Sequence, residues 1–551
     1  MDHPADILDT FRPEEDLDRA GGVLDTAEKV IESAIARIAS RGGIDANQAV
    51  AYDLAHMASA IKIAESAVSY GHLGREEAGI ACAFAADTLG DLLSRVVGRE
   101  EEWGISTSFL FDAHPFTTKY RNPSYLAGIA GITGEYHLDQ EFDLVRETFH
   151  RFAEDRIRPH AEHVHRHNDD IPEDIINGLA ELGGFGLSIP EEYGGYATSG
   201  NSDYKGMVIA TEELSWGALA IGGSLITRPE ILARALMAGG TEEQKQRWLP
   251  RMATGALMTA VAVTEPDYGS DVAGITTTAQ PLSGGWLVSG VKTWCTFAAR
   301  ADLLMLLART DPDKSKGHKG LSLFVIEKER ADGKGFVLTQ DAHSRSTKDA
   351  TLPEGHQGRL EGRPIDTIGY RGLHSYELSF DKWFVPDVCL VGGEQGLGKG
   401  FYLQMQGFEN GRLQTAARAV GVMQAAYEAA CSYASSRVVF GTPIDQYQLT
   451  RVKLARMAVL IQSIRQFTYK VADLMARGQG SLEASMVKAY ACKAAEWVAR
   501  EAMQIHGGMG YAEEFPASRY FVDSRVLSIF EGADETLSLK VIARRLLNQV
   551  G

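Results

Sequence analysis

IHGGMGYAEEFP (505–516) and SIFEGADET (528–536) decide how this 551-residue chain is read. Gly507 and Gly508, just after Gln504, interrupt a helical pattern. They leave backbone N–H groups bare enough to face an anion closely. Further on, Glu531 stands alone between apolar Leu527, Ile529 and Phe530 and the glycine Gly532. A carboxylate in apolar surroundings loses solvation, so its pKa is expected to rise toward the range where it takes up a proton usefully. Gly532 lets the backbone turn tightly beside it. Glu531 is a candidate base, although a solvated Glu beside a capping Gly is the commoner fate of such a pair.

Three other stretches precede these in order: TEPDYGSDVAG (264–274), KTWCTFAARAD (292–302) and SSRVVFGTPI (435–444). Thr264 and Thr296 offer hydroxyls, Trp294 a flat wall, and Arg437 a charged donor. Any one motif alone is a weak signal; five in order are a strong one. Together they resemble the acyl-CoA dehydrogenase family of flavoproteins over residues 138–551.

The resemblance implies an α+β fold. A helical domain (138–257) precedes a central β-barrel-like domain (258–397) and a C-terminal four-helix bundle (398–551). It implies FAD as cofactor. Val263, Thr264 and Ser270 match positions that contact the flavin and the ligand's phosphate region. Trp294 and Thr296 match positions flanking the isoalloxazine, with the threonine at N5. Arg437 and Phe440 match a pair that reaches the FAD of a neighbouring subunit, and Gln448 joins that cofactor set. Gln504, Gly507 and Gly508 match the loop lying against the same dinucleotide. A homo-oligomer, dimer or tetramer, follows, with an acyl-CoA as substrate and electron-transferring flavoprotein as electron acceptor.

Family members carry the catalytic Glu at one of two positions. One is matched by Glu531; the other is Gly411 here, which cannot abstract a proton. Arg412 matches an Arg near the base, and Glu409 an acidic position that touches the CoA portion. The family's Thr after Glu-Gly is Ala533 in this chain, which removes one hydroxyl contact to the cofactor. The implied chemistry removes an α-proton, acidified by the thioester, together with a β-hydride. An acyl-CoA oxidase, passing its electrons to oxygen, uses the same base. A non-catalytic nucleic-acid-binding relative needs a basic C-terminal surface, and residues 398–551 show no dense basic cluster.

The composition agrees with these implications. A net charge of −18 disfavours nucleic acid or membrane binding driven by the overall field. It does not exclude an anionic small molecule held by local Arg groups and helix N-termini. No apolar run reaches the ~18–20 residues that span a bilayer. The acidic start, MDHPADILDTFRPEEDLD, resembles neither a secretory signal nor a transit peptide. The five cysteines are scattered and lack metal-ligand spacing, so they read as reduced thiols in a cytoplasmic protein, and no metal site is expected.

Residues 20–103 show helical periodicity, through Val30, Ile31, Ala34, Ile35 and Ile38 and then Leu54, Met57, Ala58, Ile61 and Ala64. They form an N-terminal helical extension (1–103) beyond the family's usual length. Residues 104–137, with Pro115, Pro123 and weak periodicity, read as a linker. The helical block from 138 breaks at GGFGLSIPEEYGGY (183–196), and LLMLLART (303–310), LSLFVIE (321–327) and YELSFDKWFV (376–385) read as strands. The polar stretch 343–363 reads as an inserted loop.

LAHMA (54–58) parallels LARMA (454–458), a coincidence of Ala-rich helices or a degenerate copy of the C-terminal bundle. No base or cofactor motif accompanies the first copy, so the extension is expected to pack and not to catalyse. This added length resembles the branch of the family that converts (2S)-methylsuccinyl-CoA to mesaconyl-CoA. A substrate with a second carboxylate needs a cationic partner. Arg228, before Pro229, is the candidate, although most such helix-start arginines are solvated. Arg371 and His374 are weaker ones.

Overall fold

The computed structural model describes residues 4–106, 110–197, 204–341, 344, 352 and 355–550. Two compact units divide the chain, one comprising 1–148 and 412–551, the other 149–411.

The first unit begins with seven helices: α1 Pro4–Phe11, α2 Leu17–Ser40, α3 Gln48–Gly71, α4 Arg75–Val96, α5 Glu100–Trp103, α6 Leu110–Tyr120 and α7 Pro123–Gly128. The expected linker at 104–137 is thus about half helical. Asn122 caps α7 by accepting from Ser124 N, and Pro123 occupies the first turn, where its missing N–H costs nothing. Phe116, Tyr120 and Tyr125 are fully buried and replace the helical periodicity the sequence lacks. α3 is buried almost all round, from Leu54 through Ile61, which places it in the interior and not on an amphipathic surface.

The rest of this unit is the C-terminal bundle. After α8 (Gln140–Phe152), α9 (Arg158–His167), α10 (Glu173–Glu181), α11 (Tyr204–Gly217), α12 (Thr227–Gly239) and α13 (Glu242–Ala253) come α14 (Gly400–Ser436), α15 (Gln448–Ala476), α16 (Ser481–His506) and α17 (Pro516–Leu527). α18 (Asp534–Thr536), a π-helical segment Leu537–Ala543 and α19 (Arg544–Val550) close the chain. α3 packs against α15, α16 and the π segment, so the two helices bearing LAHMA and LARMA are neighbours. Buried polar bonds fix the contact. Gln462 Nε2 donates to Tyr70 Oη at 2.7 Å and to Glu135 O at 2.7 Å, and Arg456 forks onto Asp87 with both contacts at 3.1 Å. The extension packs, as expected, and its partner is the C-terminal bundle.

The second unit holds α9 to α13 and an eight-stranded sheet. Its strands are β1 Thr259–Ala262, β2 Thr278–Leu282, β3 Gly285–Lys292, β4 Leu303–Arg309, β5 Leu321–Glu327, β6 Phe336–Gln340, β7 Gly358–Ile365 and β8 Ser375–Pro386. They run in the order β1-β4-β2-β3-β8-β7-β6, with β5 paired to β4. β4 is buried along its whole length, which its unbroken apolar run dictates. The three strands named from sequence are β4, β5 and β8. The inserted stretch is shorter than expected, because residues 358–363 belong to β7, paired to β6 and β8. Most of 342–354 lies outside the described residues. No described helix is long and apolar enough to cross a membrane.

Candidate active site

In the second unit, TEPDYGSD and KTWCTF meet. Thr293 N donates to Thr264 O at 2.8 Å, Cys295 N to Tyr376 O at 3.0 Å, and Phe297 N to His374 O at 2.8 Å. This stitches Val263 and Thr264, at the end of β1, to Trp294 and Thr296, after β3, and to the start of β8. Trp294 holds a left-handed φ of 57° and keeps its indole 57% exposed. A bulky residue in that conformation is strained, and such strain collects where a ligand is positioned. Thr296 is nearly buried, its Oγ1 3.0 Å from Ser375 Oγ. Ser270 lies on an exposed turn.

Beneath these residues lies an ion pair that sequence reading missed. Lys292 Nζ donates to Glu265 Oε1 at 2.9 Å and to Val263 O at 2.8 Å, and Glu265 accepts further bonds from Thr276 and Thr277 N–H. Burial pushes the Glu265 carboxyl up, but the Lys292 charge and these hydrogen bonds outweigh it and hold the group at about 2. The pair fixes the carbonyl preceding Thr264. The only clue in the sequence was a Glu and a Lys inside the two motifs.

Arg228 sits in the first turn of α12, partly buried. It donates to Ser224 O at 2.9 Å and to Tyr370 Oη at 3.0 Å. Arg371 is spent on the carbonyls of His165 and Thr367, and His374 on Asp170 at 3.0 Å. Of the three, Arg228 alone is held by a tyrosine hydroxyl and a single carbonyl on a helix start. Glu409 is half-buried in the first third of α14, and with Glu230 its charge adds to the burial that raises the Tyr204 hydroxyl. His163, His167 and Asp169, all exposed, have metal-ligand spacing that the sequence reading did not single out.

In the first unit, a hairpin follows α14. Val438–Val439 (β9) pairs with Thr442–Pro443 (β10), and the turn residues Phe440 and Gly441 have φ of 50° and 81°. Positive φ at both positions is what a two-residue hairpin needs, and Gly meets it freely while Phe does not. Phe440 is nonetheless 96% exposed. Arg437 and Gln448 are exposed beside it. Tyr433 stacks on His506 with ring centroids 4.5 Å apart, which brings this hairpin to the end of α16. There Gly507 turns with φ 60°, and a Cβ added at Gly507 or Gly508 meets nothing within 4 Å. Gln504 is exposed one turn earlier. The stack thus brings the end of α14, which leads into Arg437 and Phe440, to the end of α16, which carries Gln504 and leads into Gly507 and Gly508. Tyr433 and His506, which join them, were not foreseen.

Glu531 follows α17 with a left-handed φ of 53°, and Gly532 continues at 96°. Its Oε2 is buried without a hydrogen-bond partner among the described residues. The apolar surroundings expected from sequence are only partly present. Leu527 is buried, but Ile529 is exposed and Phe530 lies under the Arg418 guanidinium at 4.7 Å. The cation reaching this turn is Lys488, fully buried on α16, whose Nζ donates to Gly532 O at 2.6 Å. Burial pulls Lys488 below its ordinary pKa, against the opposing charges of Cys492, Glu531 and Asp534. Arg412, the cation named from sequence, is buried on α14 and bonds Ser485 Oγ at 3.2 Å. Gly411 lies within α14, so no carboxylate stands at the alternative base position.

Models of the N-terminal, middle and C-terminal domains of acyl-CoA dehydrogenases match residues 139–256, 260–354 and 398–547. The (2S)-methylsuccinyl-CoA dehydrogenase of Cereibacter sphaeroides is 43% identical over 416 residues, 75% of this chain and 71% of that protein. This chain belongs to the acyl-CoA dehydrogenase family. It is an oxidoreductase, as the members of that family are. An acyl-CoA dehydrogenase of Bacillus subtilis is 34% identical over 75% of this chain and 99% of its own length. The structure of butyryl-CoA dehydrogenase from Megasphaera elsdenii superposes with a TM-score of 0.66 at 28% identity, covering 75% of this chain and all of that one.

Proposed function

We propose that this acyl-CoA dehydrogenase uses FAD to convert (2S)-methylsuccinyl-CoA to mesaconyl-CoA, with Glu531 as the base. The carrying observation is Glu531 itself: a strained, left-handed residue whose carboxylate Oε2 is buried yet has no hydrogen-bond partner among the described residues. Strain and an unsatisfied polar atom are costly, and both persist where a ligand uses them. Lys488 holds the Gly532 carbonyl and so orients the turn that carries the base.

The residues fit FAD. Trp294 is exposed two residues before the Thr296 hydroxyl, and Arg437 follows the helix whose Tyr433 stacks on His506, just before the bare backbone of Gly507 and Gly508, suited to a pyrophosphate. Bound FAD would supply the acceptor for the β-hydride. Glu531 takes the α-proton, Glu409 and Ser270 serve the CoA portion, and Arg412 stiffens the bundle behind the base. Arg228 meets the second carboxylate with a charge-assisted bond. Electrons leave to electron-transferring flavoprotein, and the five free cysteines suit a cytoplasmic setting.

The substrate assignment draws on length. The match covers 71% of the Cereibacter protein but 99% of the Bacillus one, so the former, like this chain, carries a large segment outside the shared core. The test is to mix the yellow protein anaerobically with a panel of acyl-CoAs and follow flavin bleaching. Methylsuccinyl-CoA is expected to bleach fastest, and bleaching by butyryl-CoA at the same rate would count against the assignment. Rapid reoxidation by air, with no dye or flavoprotein acceptor, would point to an oxidase.

We further propose that the exposed hairpin reaches the cofactor of a second copy. Phe440, Val438 and Tyr511 are exposed apolar side chains just beyond the ends of α14 and α16, as an interface requires. Arg437→Ala is expected to lower flavin retention after gel filtration by at least about tenfold, the loss of one charge-assisted donor, while the helical content stays the same. Full flavin occupancy in the variant would refute the contact.

A further inference from the structure

We propose that the N-terminal extension positions the catalytic base, through a bond from α3 to Asp534. The inference rests on Glu531 being that base. Asp534 is the third residue after Glu531 and is buried. Its backbone N–H donates to Ser528 O at 3.1 Å, which closes the turn holding Glu531 between them. Its carboxylate is held from the extension as well as from the bundle. His56 Nε2 lies 3.1 Å from one oxygen and 3.3 Å from the other. The Tyr52 hydroxyl, one turn earlier on α3, donates to the same carboxylate. Lys493 of α16 adds a contact at 3.3 Å and also bonds Tyr52. Ser538, in the π segment, stands 3.4 Å from His56 Nε2.

The turn 531–534 is thereby clamped at both ends. Lys488 grips the Gly532 carbonyl from the bundle, and Tyr52 with His56 grips Asp534 from the extension. A clamp is needed here. Glu531 and Gly532 both hold left-handed backbone, and Glu531 is not stabilised by any bond of its own carboxylate Oε2. A residue in that conformation relaxes unless its surroundings over-determine it. Tyr52 and His56 are positioning residues in this scheme. They touch neither substrate nor cofactor, and they act by fixing the turn.

The experiment uses the full-length holoenzyme. The double variant Tyr52→Phe, His56→Gln keeps the bulk of both side chains and removes the grip. Asp534→Asn removes it from the other side, should the double variant fail to fold. Tyr70→Phe is the control. It also deletes a buried hydrogen bond between α3 and the bundle, at Gln462, but makes no contact with the turn. Two quantities are read. One is the anaerobic rate of flavin reduction at saturating methylsuccinyl-CoA, or at saturating butyryl-CoA if that reduces the wild-type enzyme faster. The other is amide hydrogen exchange of residues 531–537 without ligand.

The proposal expects reduction to slow roughly 10- to 100-fold, as a base displaced by about an ångström does. It expects exchange in 531–537 to rise at least about tenfold as local opening becomes easier. Acyl-CoA affinity should stay within about threefold, because no binding group is lost. Tyr70→Phe should change neither quantity. Unchanged reduction, slower reduction without raised exchange, or an equal effect of Tyr70→Phe each overturns it. Should Glu531→Gln still reduce its flavin, the base assignment fails first. A dead Glu531→Gln beside an unaffected double variant defeats the positioning role alone.

Discussion

Glu531→Gln is expected to remain folded and yellow, to bind acyl-CoA, and to lose turnover by at least ~10³-fold, within the range for removing a general base. The carboxamide keeps the shape of the side chain, and Oε2 has no hydrogen-bond partner to lose among the described residues. Stability should therefore move by no more than about 0.5 kcal/mol, as for substitutions that break no contact. The alternative base position offers no carboxylate to compensate, since it is Gly411. The check is single-turnover flavin reduction, with ligand binding followed separately by perturbation of the flavin spectrum. A variant that reduces its flavin within tenfold of the wild-type rate would remove Glu531 from the mechanism.

What the sequence made legible was local. β4 and β5 declared themselves because LLMLLA and LSLFVI are almost wholly apolar, as strands buried on both faces are, and β8 because its polar and apolar residues alternate. The motif residues were legible too, since glycines at 507, 508 and 532 and a lone Glu531 are rare choices with few uses. The fold reading missed α6 and α7, because prolines and glycines usually signal a linker. Here Pro123 starts a helix and buried aromatics supply the cohesion. Long-range pairs were out of reach. Lys292 with Glu265, Lys488 with Gly532 and Asp534 with His56 join positions 27, 44 and 478 residues apart. Nothing in a linear pattern says that a buried lysine has found its carboxylate. The repeat LAHMA/LARMA was visible, yet its meaning was not. The two helices are neighbours, and the position that is Arg456 in one copy is His56 in the other, turned to a different carboxylate.

Removing residues 1–137 is expected to leave a chain that is insoluble, or soluble only as aggregate. The Bacillus relative is matched over 99% of its length without any such extension, so the family fold can stand alone. α3 is buried on nearly every side, packed against α15 and α16, and α15 has Leu454, Met457, Ala458 and Ile461 among its buried residues. Burying one large apolar side chain contributes about 1.5–3 kcal/mol, so exposing several of them rivals the ~5–15 kcal/mol that holds a typical domain folded. Polar groups add to the loss. Gln462 loses Tyr70, Arg456 loses Asp87, and Asp534 loses both Tyr52 and His56. Asp534 is held well below the ordinary carboxylate range, because bonds and charge from His56, Tyr52 and Lys493 outweigh the burial that opposes them. Only Lys493 survives the truncation. The measurements are the soluble fraction on expression and the Tm of whatever is recovered. A truncated protein with wild-type Tm and a full flavin spectrum would show that the extension contributes nothing to the bundle. For any soluble fraction, kcat/KM for methylsuccinyl-CoA relative to butyryl-CoA separates two roles. A shared fall in both, with the ratio kept, is what loosening the turn at Glu531 produces, since the base serves either substrate. A ratio that collapses would mean that the extension reads the acyl chain itself.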